Sequence, residues 1–150
     1  MLDDILNFVQ LTERVGTAGQ PTREQFEDIA AAGYQAVINL ALPTSDNAIV
    51  DEGSVVTNLG MSYFQIPVDF ENPTLNDART FIGLMQTLED RPVFVHCAMN
   101  LRVSAFMYVY LKEVMGAEED VASSPLIPKW RPHMTDVWSD FMELKRADLV

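Results

Sequence analysis

Short apolar runs alternate along the chain with segments of helical periodicity. Residues 36–40 (AVINL) and 92–96 (PVFVH) are apolar runs of the length that is typical of buried strands. Residues 63–68 (YFQIPV) form a third run, in which Pro67 predicts an end or an edge of the sheet because proline cannot donate to a strand ladder. The hydrophobic pattern therefore predicts three clear strands.

Helices are predicted between and after these runs. Thr22 with Gln25, and Thr74 with Asp77, have the spacing of helix-capping pairs, and Gly116 is placed to end a helix. A loop rich in Ser and Pro is predicted after Gly116. The predicted helices are 22–32, 51–59, 74 to about 89, about 102–115, and a last one that begins near residue 132.

Strands that are separated by helices of this length favour right-handed crossovers. We therefore predict an α/β fold of three layers, with a central, mostly parallel sheet of four to five strands and helices on both faces. The chain, residues 1–150, is expected to form a single domain. In such sheets a ligand binds beyond the carboxyl ends of the strands, which points to the loops after Leu40, Val68 and His96.

Charge narrows the range of partners. The formal net charge is −12 and the pI is near 4.3, which argues against binding to nucleic acid or to an anionic membrane surface. A small phosphorylated substrate stays compatible with this charge, because a local positive pocket can hold an anion inside an acidic protein.

The single cysteine excludes a disulfide within the chain. His96, Cys97 and His133 match no zinc-ligand spacing, so we expect no metal, and no other cofactor is indicated. The N-terminal residues are acidic where a signal peptide is basic, and no run reaches transmembrane length. A cytoplasmic location is therefore expected.

One segment combines residues with reactive chemistry. Cys97 follows the strand 92–96, and Arg102 stands at the start of the next helix, so free amides and the positive end of that helix converge on the loop between them. Such a loop binds anions and stabilises a thiolate. Alone, the cysteine would be read as a small buried residue and the arginine as solvated surface; together, at this junction, they favour a functional site.

The run VHC, a short loop and Arg102 resemble the phosphate-binding loop of the protein tyrosine and dual-specificity phosphatase superfamily. The longer run HCAMNLRVSAF resembles more closely a bacterial phosphatase-like family that is sometimes fused to a β-lactamase-like hydrolase. The segments TAGQPT, VINLALP and IPVDFENPT also resemble that family, so the resemblance covers most of the chain.

The loop departs from the superfamily pattern in its length. Four residues separate Cys97 from Arg102, whereas the superfamily has five. Asn100 stands where glycine is common, and asparagine tolerates left-handed backbone better than most residues. Ser104 is in register with the superfamily's Ser or Thr.

The resemblance implies a mechanism on a small phosphorylated substrate or a phosphoprotein. Cys97 would attack phosphorus and form a phosphocysteine, and Arg102 would hold the phosphoryl oxygens. Asp69 would be the general acid, with Glu71 as its substitute, although Asp69 also fits a carboxylate that caps its own turn. Ser104 would bond the departing thiolate or, alternatively, the helix backbone. The expected loop residues that bind substrate are Ala98, Met99, Asn100, Leu101 and Ser104.

Two other functions stay open at this point. A loop of six residues from Cys97 to Arg102 also resembles rhodanese sulfurtransferases, in which the cysteine carries a persulfide. A non-catalytic phosphate-binding module would keep the positive loop without a working acid. His96 is expected to point away from the pocket and to bond backbone groups. The natural substrate and the oligomeric state are not indicated by the sequence.

Overall fold

A five-stranded sheet forms the centre of the protein. The computed structural model describes all residues, 1–150. The strands are β1 (Val9–Gln10), β2 (Val15–Ala18), β3 (Ala36–Asn39), β4 (Ser62–Gln65) and β5 (Val93–His96), in the spatial order β1-β2-β5-β3-β4. Only β1 is antiparallel to its neighbour. The predicted mostly parallel sheet is therefore confirmed.

The central strand is β5, which pairs in parallel with β2 and β3. Its side chains alternate between the two faces of the sheet: Val93 and Val95 belong to one hydrophobic cluster and Phe94 to the other. Because both faces are covered, all of these residues are fully buried. Phe94 lies in the middle of the sheet, as predicted.

Eight α-helices cover the sheet. They are α1 (Arg23–Ala31), α2 (Glu52–Asn58), α3 (Leu75–Thr87), α4 (Leu101–Val109), α5 (Glu119–Ala122), α6 (Leu126–Trp130), α7 (Asp136–Met142) and α8 (Arg146–Leu149). The larger cluster packs α3, α4, α6 and α7 against one face, and the smaller cluster packs α1 and α2 against the other. The three-layer prediction is confirmed. No helix is long and apolar enough to cross a membrane.

Several predicted boundaries were wrong. The strand predicted over 63–68 ends at Gln65, and Pro67 follows it at an edge of the sheet, as predicted, since β4 is an outermost strand. The helix predicted over 102–115 becomes a π-helix at Tyr110–Val114. The last predicted helix is broken, since Met134 is extended between a 3-10 turn and α7. The segment predicted as a loop after Gly116 contains α5 and α6.

Candidate functional site

Cys97 follows the central strand directly and lies in a cleft at the carboxyl end of the sheet. Its amide donates to the Ala18 carbonyl (3.3 Å), which continues the β2–β5 pairing by one residue, and its side chain is buried. The cleft has a volume of about 270 Å³. Its lining residues are Phe70, Cys97, Ala98, Met99, Leu101 and Arg102.

The backbone beyond Cys97 presents a series of unpaired amides. The N–H groups of Ala98, Met99 and Asn100 donate to no protein acceptor, and those of residues 101–103 are the first three of α4. The first amide that is bonded is that of Ser104, which donates to the Asn100 carbonyl (3.3 Å). Consecutive unpaired amides next to a helix N-terminus form an anion-binding concavity.

The carbonyls of the same loop are held from outside. In a planar trans peptide the carbonyl and the following N–H point in opposite directions, so fixing the Cys97, Ala98 and Met99 carbonyls aims the next three amides the other way. The donors are His96 Nδ1 to Cys97 O (3.1 Å), the Gln20 amide (3.1 Å) and Asn47 Nδ2 (3.2 Å) to Ala98 O, and Asn7 Nδ2 to Met99 O (3.0 Å).

Asn100 makes the turn into α4 in left-handed backbone, with φ of 68°. Its side chain is buried, and its Nδ2 donates to the Asn7 carbonyl (2.8 Å) and to Thr17 Oγ1 (3.1 Å). These bonds stabilise a conformation that a glycine would adopt without them. Asn100 thus anchors the loop, and its side chain is not part of the cleft lining.

Arg102 lines the cleft beside Cys97 despite the shorter spacing. Its Nη1 donates to the Val68 carbonyl (2.8 Å), and its guanidinium lies over the Phe70 ring at 5.7 Å. Its Nε and Nη2 groups have no protein acceptor and are not sealed from solvent. Arg102 is therefore positioned by one edge while its other donors stay available to an anion.

The two candidate acids lie on the loop after Val68. Asp69 and Glu71 are both exposed, and neither lines the cleft. The Asp69 carboxylate accepts from the Glu71 amide (2.9 Å), which is the turn-capping contact considered from the sequence. Asp69 nevertheless stands between Val68 and Phe70, the two residues that contact Arg102.

Ser104 and the apolar loop residues have different surroundings. Ser104 is buried, and its hydroxyl donates to the Asn100 carbonyl (2.6 Å), which is the helix-backbone alternative. It does not line the cleft. Met99 is half exposed at the mouth and Leu101 is partly buried, so the surroundings of the Cys97 thiol are mainly apolar.

His96 points away from the cleft into a polar network that the sequence did not indicate. It is fully buried, and its Nε2 lies 2.6 Å from Glu52 Oε2. Burial raises the pKa of Glu52, but the bonds with His96 outweigh that effect and hold it below its usual value. The Gln20 side chain donates to the other carboxylate oxygen (2.6 Å). No group of three or more His, Cys, Asp or Glu side chains is arranged to hold a metal ion.

A known protein family matches most of the chain. The family described as DSP-PTPase phosphatase fused to NAD+ kinase matches residues 7–141, nearly the whole chain. The chain belongs to this phosphatase family. Family membership makes it a hydrolase-like protein of the dual-specificity type, as the resemblance of the loop implied.

Solved structures of this phosphatase type share its fold. A DUF442 phosphatase-family protein from Shewanella putrefaciens CN-32 is 32% identical, with 94% of this chain and 91% of that chain covered and a TM-score of 0.84. Tk-PTP in its active form is 17% identical, with 94% and 97% covered and a TM-score of 0.73. The latter likeness concerns the fold alone.

Longer relatives contain a similar segment. The beta-lactamase hydrolase-like protein of Agrobacterium fabrum is 36% identical over 98 residues, which are 63% of this chain and 22% of that protein. The protein of the same name from Xylella fastidiosa is 30% identical over 117 residues, or 73% of this chain and 26% of that protein. The chain thus spans about a quarter of the length of these curated relatives.

Proposed function

We propose that this phosphatase-family chain hydrolyses phosphomonoesters, on a small molecule or a phosphoprotein, through a phosphocysteine on Cys97. The observation that carries the proposal is the convergence, in one cleft, of Cys97, a series of unpaired amides and the free N–H groups of Arg102. This is a site for a tetrahedral anion next to a nucleophile.

In the first step the Cys97 sulfur, as the thiolate, attacks phosphorus while the bond from phosphorus to the ester oxygen breaks. The amides of the loop and Arg102 bind the three non-bridging oxygens, whose charge is largest in the transition state. Because the cleft is partly enclosed and mainly apolar, these interactions are stronger there than in bulk water.

The departing oxygen requires a proton, and water later cleaves the phosphocysteine to release phosphate. Asp69 is our candidate for both proton transfers, because its neighbours Val68 and Phe70 contact Arg102 at the edge of the cleft. Its carboxylate would have to exchange the Glu71 amide for the substrate. Glu71, two residues further along the same loop, is the substitute candidate for the acid.

A second candidate function is sulfur transfer through a Cys97 persulfide. Two observations favour it: the four-residue spacing between Cys97 and Arg102, and the near-complete burial of Cys97. A smaller loop suits one sulfur atom better than a phosphoryl group. Transfer of a sulfur atom also requires no acid to protonate a leaving oxygen.

One preparation tested in parallel decides between these functions. Wild type and Cys97→Ser are assayed with an aryl phosphate, and with thiosulfate plus cyanide. Phosphate release that is lost in Cys97→Ser supports the phosphatase. Thiocyanate formation without phosphate release would favour the sulfurtransferase, and oxyanion binding without either activity would leave a phosphate-binding module.

A further inference from the structure

Glu52 is a buried carboxylate that neither lines the cleft nor has a role in the proposed chemistry. It is the first residue of α2, and only 3% of its surface is exposed. A carboxylate at this depth requires partners for its oxygens. Two of its side-chain contacts, with His96 and Gln20, lead towards the Cys97 loop, and a third, with Tyr63, leads to β4.

The first connection runs through His96. Glu52 Oε2 is 2.6 Å from His96 Nε2, and His96 Nδ1 is 3.1 Å from the Cys97 carbonyl. A carbonyl can only accept, so Nδ1 carries a proton and donates. The carboxylate thereby fixes the ring orientation in which His96 holds the Cys97 carbonyl away from the cleft.

The second connection runs through Gln20. Its side-chain Nε2 donates to Glu52 Oε1 (2.6 Å) while its backbone amide donates to the Ala98 carbonyl (3.1 Å). The same side chain leaves its own Oε1 buried without a partner, which is an unfavourable arrangement. The contact with Glu52 accounts for this orientation of the amide, since the reverse orientation would set two oxygens against each other.

We propose that Glu52 is a positioning residue for the anion loop: through His96 and Gln20 it fixes the Cys97 and Ala98 carbonyls and so keeps the amides of Ala98 and Met99 aimed into the cleft. This inference rests on the proposed function, because it assigns Glu52 to the same anion site. Glu52 touches neither the substrate nor the reacting atoms.

The test is tungstate affinity, measured by calorimetry on wild type, Glu52→Ala, Glu52→Gln and Val56→Ala. Val56 is a fully buried residue of α2 in the smaller cluster, so Val56→Ala destabilises the same helix without removing a loop contact. Glu52→Gln keeps the length of the side chain: its oxygen can accept from Gln20, and its amide nitrogen can donate to His96 Nε2 when that nitrogen carries no proton.

We expect Glu52→Ala to bind tungstate about tenfold more weakly, which corresponds to one misdirected hydrogen bond to an anion. Glu52→Gln should remain within about threefold of wild type, and Val56→Ala should match wild type. Wild-type affinity in Glu52→Ala would overturn the proposal. An equal loss of affinity in Val56→Ala would also overturn it, because the effect would then come from the stability of the helix. An equal loss in Glu52→Gln would overturn it as well, because the effect would then come from the charge.

A milder variant keeps the proposal testable if Glu52→Ala does not fold. Gln20→Met removes the side-chain bond to Glu52 but leaves the backbone amide in place. We expect a severalfold weaker tungstate affinity, and an unchanged affinity would contradict the proposal. If wild type itself binds no tungstate and releases no phosphate, the proposed function fails and this inference with it, whereas normal wild-type behaviour with unaffected variants refutes the inference alone.

Discussion

Replacing Arg102 by lysine tests whether its guanidinium binds the anion. The substitution keeps the positive charge but replaces a planar fork with a single ammonium group. In the structure Nη1 is occupied by the Val68 carbonyl, while Nε and Nη2 are available. If the lysine ammonium takes over the hydrogen bond to the Val68 carbonyl, fewer N–H donors remain to bind an anion.

The expected magnitude follows from the hydrogen bonds lost. A hydrogen bond to a charged group contributes about 1.5–3 kcal/mol, so Arg102→Lys should weaken oxyanion binding roughly ten- to hundredfold. Arg102→Ala should be weaker still, because it also removes the charge and leaves the Val68 carbonyl without its partner. The loss of that buried bond should also lower the stability of Arg102→Ala by about 1–3 kcal/mol.

Calorimetry with tungstate or vanadate measures the affinity, and thermal unfolding reports the stability of each variant. Arg23→Lys is the matched control, since Arg23 is half exposed and pairs with Asp51 away from the cleft. Equal affinity in wild type, Arg102→Lys and Arg102→Ala would show that the Arg102 guanidinium does not bind the anion. In that case the shorter loop would have removed Arg102 from the anion site.

Three further predictions follow from the same geometry. Asp69→Asn should lower the turnover of aryl phosphates by about 10²–10⁴-fold without changing tungstate affinity, and Glu71→Gln, its neighbour, should lower turnover far less; equal effects would remove Asp69 from its role. The pKa of Glu52 is lowered in the folded state, so its contribution to stability is complete above its unfolded value, about 4.3, and is lost as the pH falls through the folded value. Urea unfolding between pH 7 and pH 3 should therefore show the stability difference between wild type and Glu52→Gln shrinking at the acid end, and a constant difference would contradict this. Gly19→Ala would place a methyl group 2.7 Å from the Ala98 carbonyl, so calorimetry should show weaker tungstate binding, whereas unchanged binding would mean that the loop tolerates the shift.

The apolar runs predicted the core strands because their signal is local. Residues 36–40 and 92–96 read as buried strands from composition alone, and β3 and β5 lie within them. The strands β1 and β2 were not predicted individually. β1 has two residues and β2 is the sequence VGTA, whose Gly, Thr and Ala are buried only because α-helices cover both faces of the sheet. Neither segment carries an apolar run.

The residues of the site likewise fall into those that the sequence predicts and those that it does not. Cys97 and Arg102 were predicted from a spacing within one short segment, and both line the cleft. Glu52 was missed because, next to Asp51, it reads as an ordinary acidic helix start; only the packing of α2 against β4 and α1 brings it beside His96 and buries it. Gln20, which joins Glu52 to the loop, gives no local signal either.

The most direct test of the proposed chemistry at Cys97 is to detect the phosphocysteine. Cys97 is the only cysteine, so a phosphoryl adduct on sulfur has one place to form. Wild type and Asp69→Asn are mixed with an aryl phosphate, quenched in acid within the first turnovers and analysed by mass spectrometry. We expect one phosphoryl group per chain on Cys97, longer-lived in Asp69→Asn, and none in Cys97→Ser. Phosphate release without this adduct, or equal release by Cys97→Ser, would contradict a phosphocysteine mechanism.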